Sequence, residues 1–236
     1  MKRLSAIAGM FLISGALLAQ PTVSDPNVQV REVKNFHAIS VSHAFDIYLT
    51  QSSEEKVAVS AGEAKYLENI KVEVKNGVLD ISWDNKGMKW TRGDKKLKAY
   101  ISFKNIDKLK ASGACNVSVV GVLKADDLLV DLSGASDLKG KLDIKKLTFD
   151  ISGASDVKIS GSAMNLDIDA SGASSFKGFD LAADYCNVKA SGASGIRITV
   201  NKELSATASG ASDIDYKGTG TIRDIKTSGA SSISRS

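Results

Sequence analysis

The chain has 236 residues, 43% apolar and 25% charged, with 20 Gly, 2 Pro and 2 Cys. That apolar share excludes a disordered chain, and two Cys exclude a disulfide-bonded miniature scaffold. The formal charge is +4; without Lys2 and Arg3, 29 basic residues face 27 acidic ones, a balance that leaves no nucleic-acid footprint.

Residues 1–20 read MKRLSAIAGMFLISGALLAQ. A basic start (Lys2, Arg3), an apolar stretch from Ala6 to Leu18 and a small residue, Ala19, before Gln20 form the pattern of a secretory signal peptide over residues 1–19. The competing reading is a buried N-terminal helix. Past this segment no apolar run approaches the roughly 20 residues of a spanning helix, so no transmembrane segment is expected. No Cys precedes Cys115, which leaves no N-terminal Cys for lipid modification. The expected product is exported, periplasmic or at the outer surface, as one domain over 20–236.

Residues 28–110 carry irregular strand signals. Ser42–Leu49 reads SHAFDIYL and aligns with SGASDVKI at Ser152–Ile159, with Ile39 and Val41 at matching offsets. It reads as a degenerate copy of a later repeat. Further strands are expected at Val57–Ser60, Lys71–Val74, Val78–Trp83 and Leu97–Phe103, and a short helix around Glu63–Asn69. Asn76-Gly77 between two alternating runs signals a hairpin. Asp84–Lys96 is polar and reads as a loop with Trp90 exposed. This half is expected to cap the lower edge of the architecture that follows.

From Ser112 onward one tetrapeptide recurs. SGA(S/C) begins at Ser112, Ser133, Ser152, Ser171, Ser191, Ser209 and Ser228, at spacings of 21, 19, 19, 20, 18 and 19 residues. Apolar residues stand at odd offsets from these serines. Leu147, Leu166 and Cys186 lie five before; Phe149, Ile168 and Val188 three before; Ile151, Ala170 and Ala190 one before; Val157, Phe176 and Ile196 five after. Even offsets are polar. Period two means strands with one buried face. A short strand pair of this kind is not stable alone, whereas copies stacked at about 4.8 Å per layer merge their apolar columns into one core. The fold class is therefore all-β: a right-handed single-stranded parallel β-helix (β-solenoid) with turns of about 19 residues. The right hand is favoured because the six-residue sub-period of left-handed hexapeptide helices is missing. An up-and-down barrel or sandwich is the rival, but the repeat region lacks its hairpin turns. Each SGAS glycine marks either a bend or a flat crossing where backbones approach closely; the sequence leaves both open.

FHAISVSHAFDIYLTQ, EKVAVSAGE and ENIKVEVKNGVLDIS, followed by the SGAS series, resemble the auto-transporter adhesin head GIN domain family over roughly Val28 to Ser236. The resemblance implies an exported β-helical protein. It implies no established activity and supplies no catalytic residue to carry over.

Candidate chemistry is sparse. Cys115 replaces the last Ser of its SGAS and Cys186 occupies a Leu column, at least three turns away. At the layer spacing that is about 14 Å or more, too far for a disulfide, and both read as small core residues. His37 and His43 are the only histidines, and structural placement is favoured over a metal site with Asp46. Two charge ladders remain. Asp131, Asp150 and Asp169 stand two before successive SGAS copies, flanked by Lys110 and Lys189; Lys139, Lys158, Lys177 and Arg197 stand six after. Stacked carboxylates suit Ca²⁺ or glycoside cleavage, and the basic row suits an acidic saccharide. The competing reading for both is a solvated face, since any solenoid repeats its columns. No phosphate loop and no GxSxG occurs.

The sequence thus points to an exported, non-enzymatic binding or adhesion module for glycans or surface proteins, without cofactor, metal or nucleic acid. The alternative is a polysaccharide-active enzyme, lyase or hydrolase-like, which rests on fold analogy. Spacings of 18 to 21 leave no insertions to wall a cleft, Asp84–Lys96 excepted. The upper edge lacks an obvious cap near Ser236, so homo-oligomers through that end are also expected.

Overall fold

The computed structural model describes Asp25, residues 27–85 and residues 95–236. The expected signal peptide and Trp90 lie outside the described residues. Strands form wherever β-branched and polar residues alternate. In the N-terminal part they are β1 (Val28–Arg31), β2 (Ala38–His43), β3 (Phe45–Gln51), β4 (Lys56–Ser60), β5 (Ile70–Lys75), β6 (Val78–Trp83), β7 (Leu97–Phe103) and β8 (Lys108–Gly113). The expected short helix is a 3-10 helix, Ala64–Asn69. Asn76 and Gly77 both take positive φ, 51° and 75°, and join β5 to β6 as an antiparallel hairpin.

Layer order departs from chain order here. β2 pairs in parallel with both β6 and β8, and β3 pairs in parallel with both β7 and β9 (Asn116–Leu132). The coil built by β2 and β3 therefore lies between two segments that follow it in sequence. Beneath it the pairing turns antiparallel: β4 against β7, β1 against β4, and β5 against β6. These strands end the parallel stack at its lower edge.

Above β9, each turn contributes one long bent strand: β10 (Asp137–Ile151), β11 (Asp156–Ala170), β12 (Ser175–Ala190) and β13 (Gly195–Ala208). Three short strands complete the chain, β14 (Asp213–Lys217), β15 (Thr221–Thr227) and β16 (Ser232–Arg235). Successive turns pair in parallel and shift by one repeat, so that Ile151, Ala170 and Ala190 stack in one column and Val157, Phe176 and Ile196 in another. The protein is a β-solenoid of about seven turns. In-register parallel pairing between consecutive turns excludes the barrel and the sandwich, whose neighbours are joined by hairpins. The odd-offset columns form the core: Leu147, Phe149, Ile151 and Val157 are all buried. Phe149 of β10 meets Phe176 of β12 edge to face, centroids 5.1 Å apart.

Each SGAS is a bend. All seven of its glycines have positive φ, from 74° to 92°. The backbone stays paired through the bend, for Ala154 N–H donates to Gly134 O at 2.7 Å and Ala173 N–H to Gly153 O at 2.8 Å. This stacking leaves no room for a side chain: a Cβ on Gly153 would lie 2.3 Å from Gly134 O. The closing serines Ser136, Ser155, Ser174, Ser194 and Ser212 turn inward and are buried. Ser155 Oγ donates to Ser152 O at 3.0 Å and accepts from Ser136 N–H at 3.3 Å. A second bend, at Gly121, Gly161 and Gly218, also uses positive φ.

The upper end is less enclosed. β15 pairs with β13, and β16 with β14. Among the described residues no strand pairs with the other edge of β15 or β16. Ile222 and Ile225, which continue the inward columns, are 51% and 38% exposed.

Candidate ligand-binding surface

Outward-facing columns follow from the same register. Tyr100, Tyr48, Ser118, Lys139, Lys158, Lys177, Arg197 and Asp215 succeed one another, one per layer, on the half of the coil that follows the SGAS bend. Parallel pairing puts equivalent residues about 4.8 Å apart, so the four cations form an exposed ladder. Lys177 pairs with Asp156 at 3.2 Å and Arg197 with Asp215 at 3.6 Å. Lys139 and Lys158 have no ion-pair partner among the described residues. At the lower end Tyr48 and Tyr100 stack, centroids 5.2 Å apart and planes 12° from parallel.

Tyr100 is fixed from below. Its hydroxyl donates to Asp25, which also accepts from Lys98 at 2.8 Å and Ser60 at 2.9 Å. Burial alone would raise the Asp25 carboxyl; these hydrogen bonds outweigh it and hold the carboxyl below the usual carboxylate range. Burial and the adjacent Asp25 push the Tyr100 hydroxyl upward.

Asp131, Asp150 and Asp169 form the expected second ladder, on the half of the coil that precedes the bend. Lys110 and Lys189 cap it as neighbours in the same column. Lys110 reaches Asp131 at 2.9 Å. The bend separates this ladder from the cationic one, so the two do not build a joint site. Among the described residues no group of three His, Cys, Asp or Glu side chains could hold a metal ion.

The remaining candidates are dispersed. His37 is exposed and pairs with Asp107 at 3.0 Å. His43 sits in the first bend, where its ring accepts from Trp83 N–H at 3.4 Å and meets Ser42 Oγ at 3.0 Å. Asp46 accepts from Asn116 at 2.9 Å and contacts neither histidine. Both cysteines are buried and free. Burial pushes the Cys186 thiol up to about 12, with Asp167 and Asp184 adding to it, and raises Cys115 as well. Neither suits a nucleophile, which must ionise. Cys115 Sγ contacts Ser112 O at 3.4 Å, the same contact that Ser136, Ser155, Ser194 and Ser212 make in their own bends.

One outward residue escaped the pattern of charges. Six before the five copies from Ser133 to Ser209 the column reads Asp127, Lys146, Asn165, Tyr185 and Glu203. Tyr185 is the aromatic in an otherwise polar column, and it is 44% exposed. That exchange of type is the signal by which the sequence shows it.

Residues 35–220 match the family described as "Putative auto-transporter adhesin, head GIN domain". The chain belongs to this family. Among solved structures, a putative adhesin from Bacteroides fragilis is 26% identical, with a TM-score of 0.81 over 89% of this chain and 96% of that one. A putative adhesin from Parabacteroides merdae (20% identity, TM-score 0.65, 89% and 95% covered) and another from Parabacteroides distasonis (21%, 0.67, 88% and 95%) share the fold. No curated protein matches the chain. Family and fold support an adhesion-like role at a cell surface. No helix among the described residues is long and apolar enough to cross a membrane.

Proposed function

We propose that the protein is an exported, non-enzymatic adhesion module that holds an acidic glycan along the ladder Lys139, Lys158, Lys177 and Arg197. The observation that carries this reading is the register: four cations at one-layer spacing, two of them without an ion-pair partner among the described residues. An extended polyanion repeats its charges along one line, and the parallel strands hold the four cationic side chains at a matching fixed spacing, which confines the ordering cost to the side chains themselves. Tyr48, stacked on Tyr100, ends the row with a ring face that suits a sugar. Among the described residues no insertion walls either ladder into a cleft, which favours binding over turnover.

Affinity electrophoresis of the mature protein in polygalacturonate tests this. Retardation is expected at low salt, fading as ionic strength rises and the Debye length shortens to about 8–10 Å. Lys139→Glu/Lys158→Glu should weaken it about tenfold or more, equivalent to about 1.4 kcal/mol. These two positions are chosen because no ion pair is lost with them. Unchanged retardation in the double variant would overturn the ladder; capture of a surface protein by the same face would replace the glycan as ligand.

A second reading concerns assembly. The exposed Ile222 and Ile225 on the free edge of β15 support end-to-end association of two copies. Sedimentation velocity should show a dimer that Ile225→Lys dissociates, and a monomer at high concentration would end this reading.

A further inference from the structure

Tyr185 lies in a shallow groove of about 640 Å³ on the half of the coil that precedes the SGAS bend. This is the size of pocket that small ligands occupy. Its polar lining is set by register. Asn165 lies one layer below the tyrosine and Glu203 one layer above. In the adjacent outward column Asp167 pairs with Asn187, and Asn187 Nδ2 donates to Asp167 at 3.2 Å. Arg223 reaches over from the next layer to Glu203 at 3.1 Å. An exposed phenol ring is thus surrounded by two carboxamides, two carboxylates and a guanidinium.

The charge of this groove is the informative quantity. Its two cations, Lys146 and Arg223, are matched by its two carboxylates, Asp167 and Glu203. A polyanion gains nothing here, unlike on the Lys139–Arg197 ladder. A peptide finds no apolar pocket, since Leu166 and Cys186 beneath the groove are buried in the core. What remains is a ligand with one apolar and one hydroxyl-rich aspect. A pyranose has both: its ring C–H groups, slightly positive, are drawn to the negative face of an aromatic ring, and its vicinal hydroxyls bond to planar amides and carboxylates, which accept or donate in pairs. Lys202, 5.3 Å from the Tyr185 centroid, is held by Asp184 at 2.7 Å and does not line the groove.

We infer that this groove is a subsite for a neutral sugar residue, with Tyr185 as the stacking platform and Asn165, Asp167 and Asn187 as the groups that fix its hydroxyls. The subsite is independent of the acidic-glycan ladder on the other half of the coil. A chain with both would engage a branched or mixed polysaccharide through two chemistries, one screened by salt and one not.

Affinity electrophoresis against a panel of neutral polysaccharides (mannan, galactan, arabinoxylan and mixed-linkage β-glucan) tests it. At least one should retard the protein, and retardation should persist in 0.5 M NaCl, where the Debye length is only about 4 Å. Tyr185→Ala should weaken it about tenfold, while Tyr185→Phe, which keeps the ring, stays within about twofold. The melting temperature of Tyr185→Ala should stay within a few degrees of the parent's, because the residue lies outside the core and its contact with Lys202 is a surface one. Lys139→Glu/Lys158→Glu should leave neutral binding unchanged, so that the failure of one surface is distinguishable from the failure of the other. No retardation by any member of the panel, or retardation that Tyr185→Ala leaves intact, overturns the inference.

Discussion

The same bend is built at Ser42–Phe45 and at Ser152–Ser155, from different residues. In the repeat, Gly153 takes φ of 76°, and a Cβ there would strike the carbonyl of Gly134 in the layer below. In the first coil, His43 takes φ of 82° at the equivalent position, since it pairs with Gly113 directly above. A histidine fits because the layer beneath it contains no bend. The β2–β6 register ends at Val41 and Ile81, and the imidazole reaches down to Trp83 N–H instead. Glycine is therefore demanded by the stacked carbonyl underneath, more than by the bend. The regular stack relies on identical backbone in every layer; the N-terminal part relies on individual side chains.

The largest expected effect follows from that contrast. Gly153→Ala should cost at least about 1–3 kcal/mol from its left-handed backbone geometry, with the carbonyl clash adding to it. His43→Ala, with φ already positive and no carbonyl below, should lose less than about 1 kcal/mol. Thermal denaturation of the two variants checks this, and equal losses would break the comparison.

The second effect concerns the charged network of the N-terminal part. Asp25→Asn should loosen the segment around β1 and β4 by about 1.5–3 kcal/mol, the worth of hydrogen bonds to a charged group. Because the folded carboxyl titrates below its usual range, its contribution is fully present above about pH 4 and is lost as pH falls through the depressed value. Hydrogen exchange of β4 and β7 should accelerate in Asp25→Asn at pH 7, and the pH dependence of that exchange below pH 4 should flatten. The repeat strands should not respond.

The smallest effect lies inside the stack and tests how alike its layers are. Ser155 bridges Ser152 O and Ser136 N–H, whereas the Ser174 hydroxyl is buried without a partner among the described residues. Ser155→Ala should cost about 1–3 kcal/mol, since it leaves a buried N–H unsatisfied. Ser174→Ala should be neutral or slightly stabilising. Equal losses would mean that the two layers are the same after all.

Much of this was legible in the residues. Leu147, Phe149 and Ile151 announce an inward face by period two, and the SGAS spacing aligns each with its neighbour in the next turn. Both charge ladders follow from that alignment alone. The Asn76-Gly77 hairpin is local chemistry and needs no tertiary information. The second bend was not legible: register sets Gly161 between Leu142 and Leu181, so its glycine does not recur from turn to turn as the SGAS glycine does. Tyr185 passes unnoticed when columns are read for charge, and its groove depends on Arg223 from a different turn.

Sequence alone determined the columns, because a repeat with one buried face has a single way to stack its apolar residues. Tertiary structure alone decided the layer order of the N-terminal part, where β2 and β3 lie between segments that come later in the chain. It also decided that the two ladders stand on opposite sides of a bend. Both outcomes depend on which backbone lies beneath which, and pairing between distant segments leaves no periodic mark on either one.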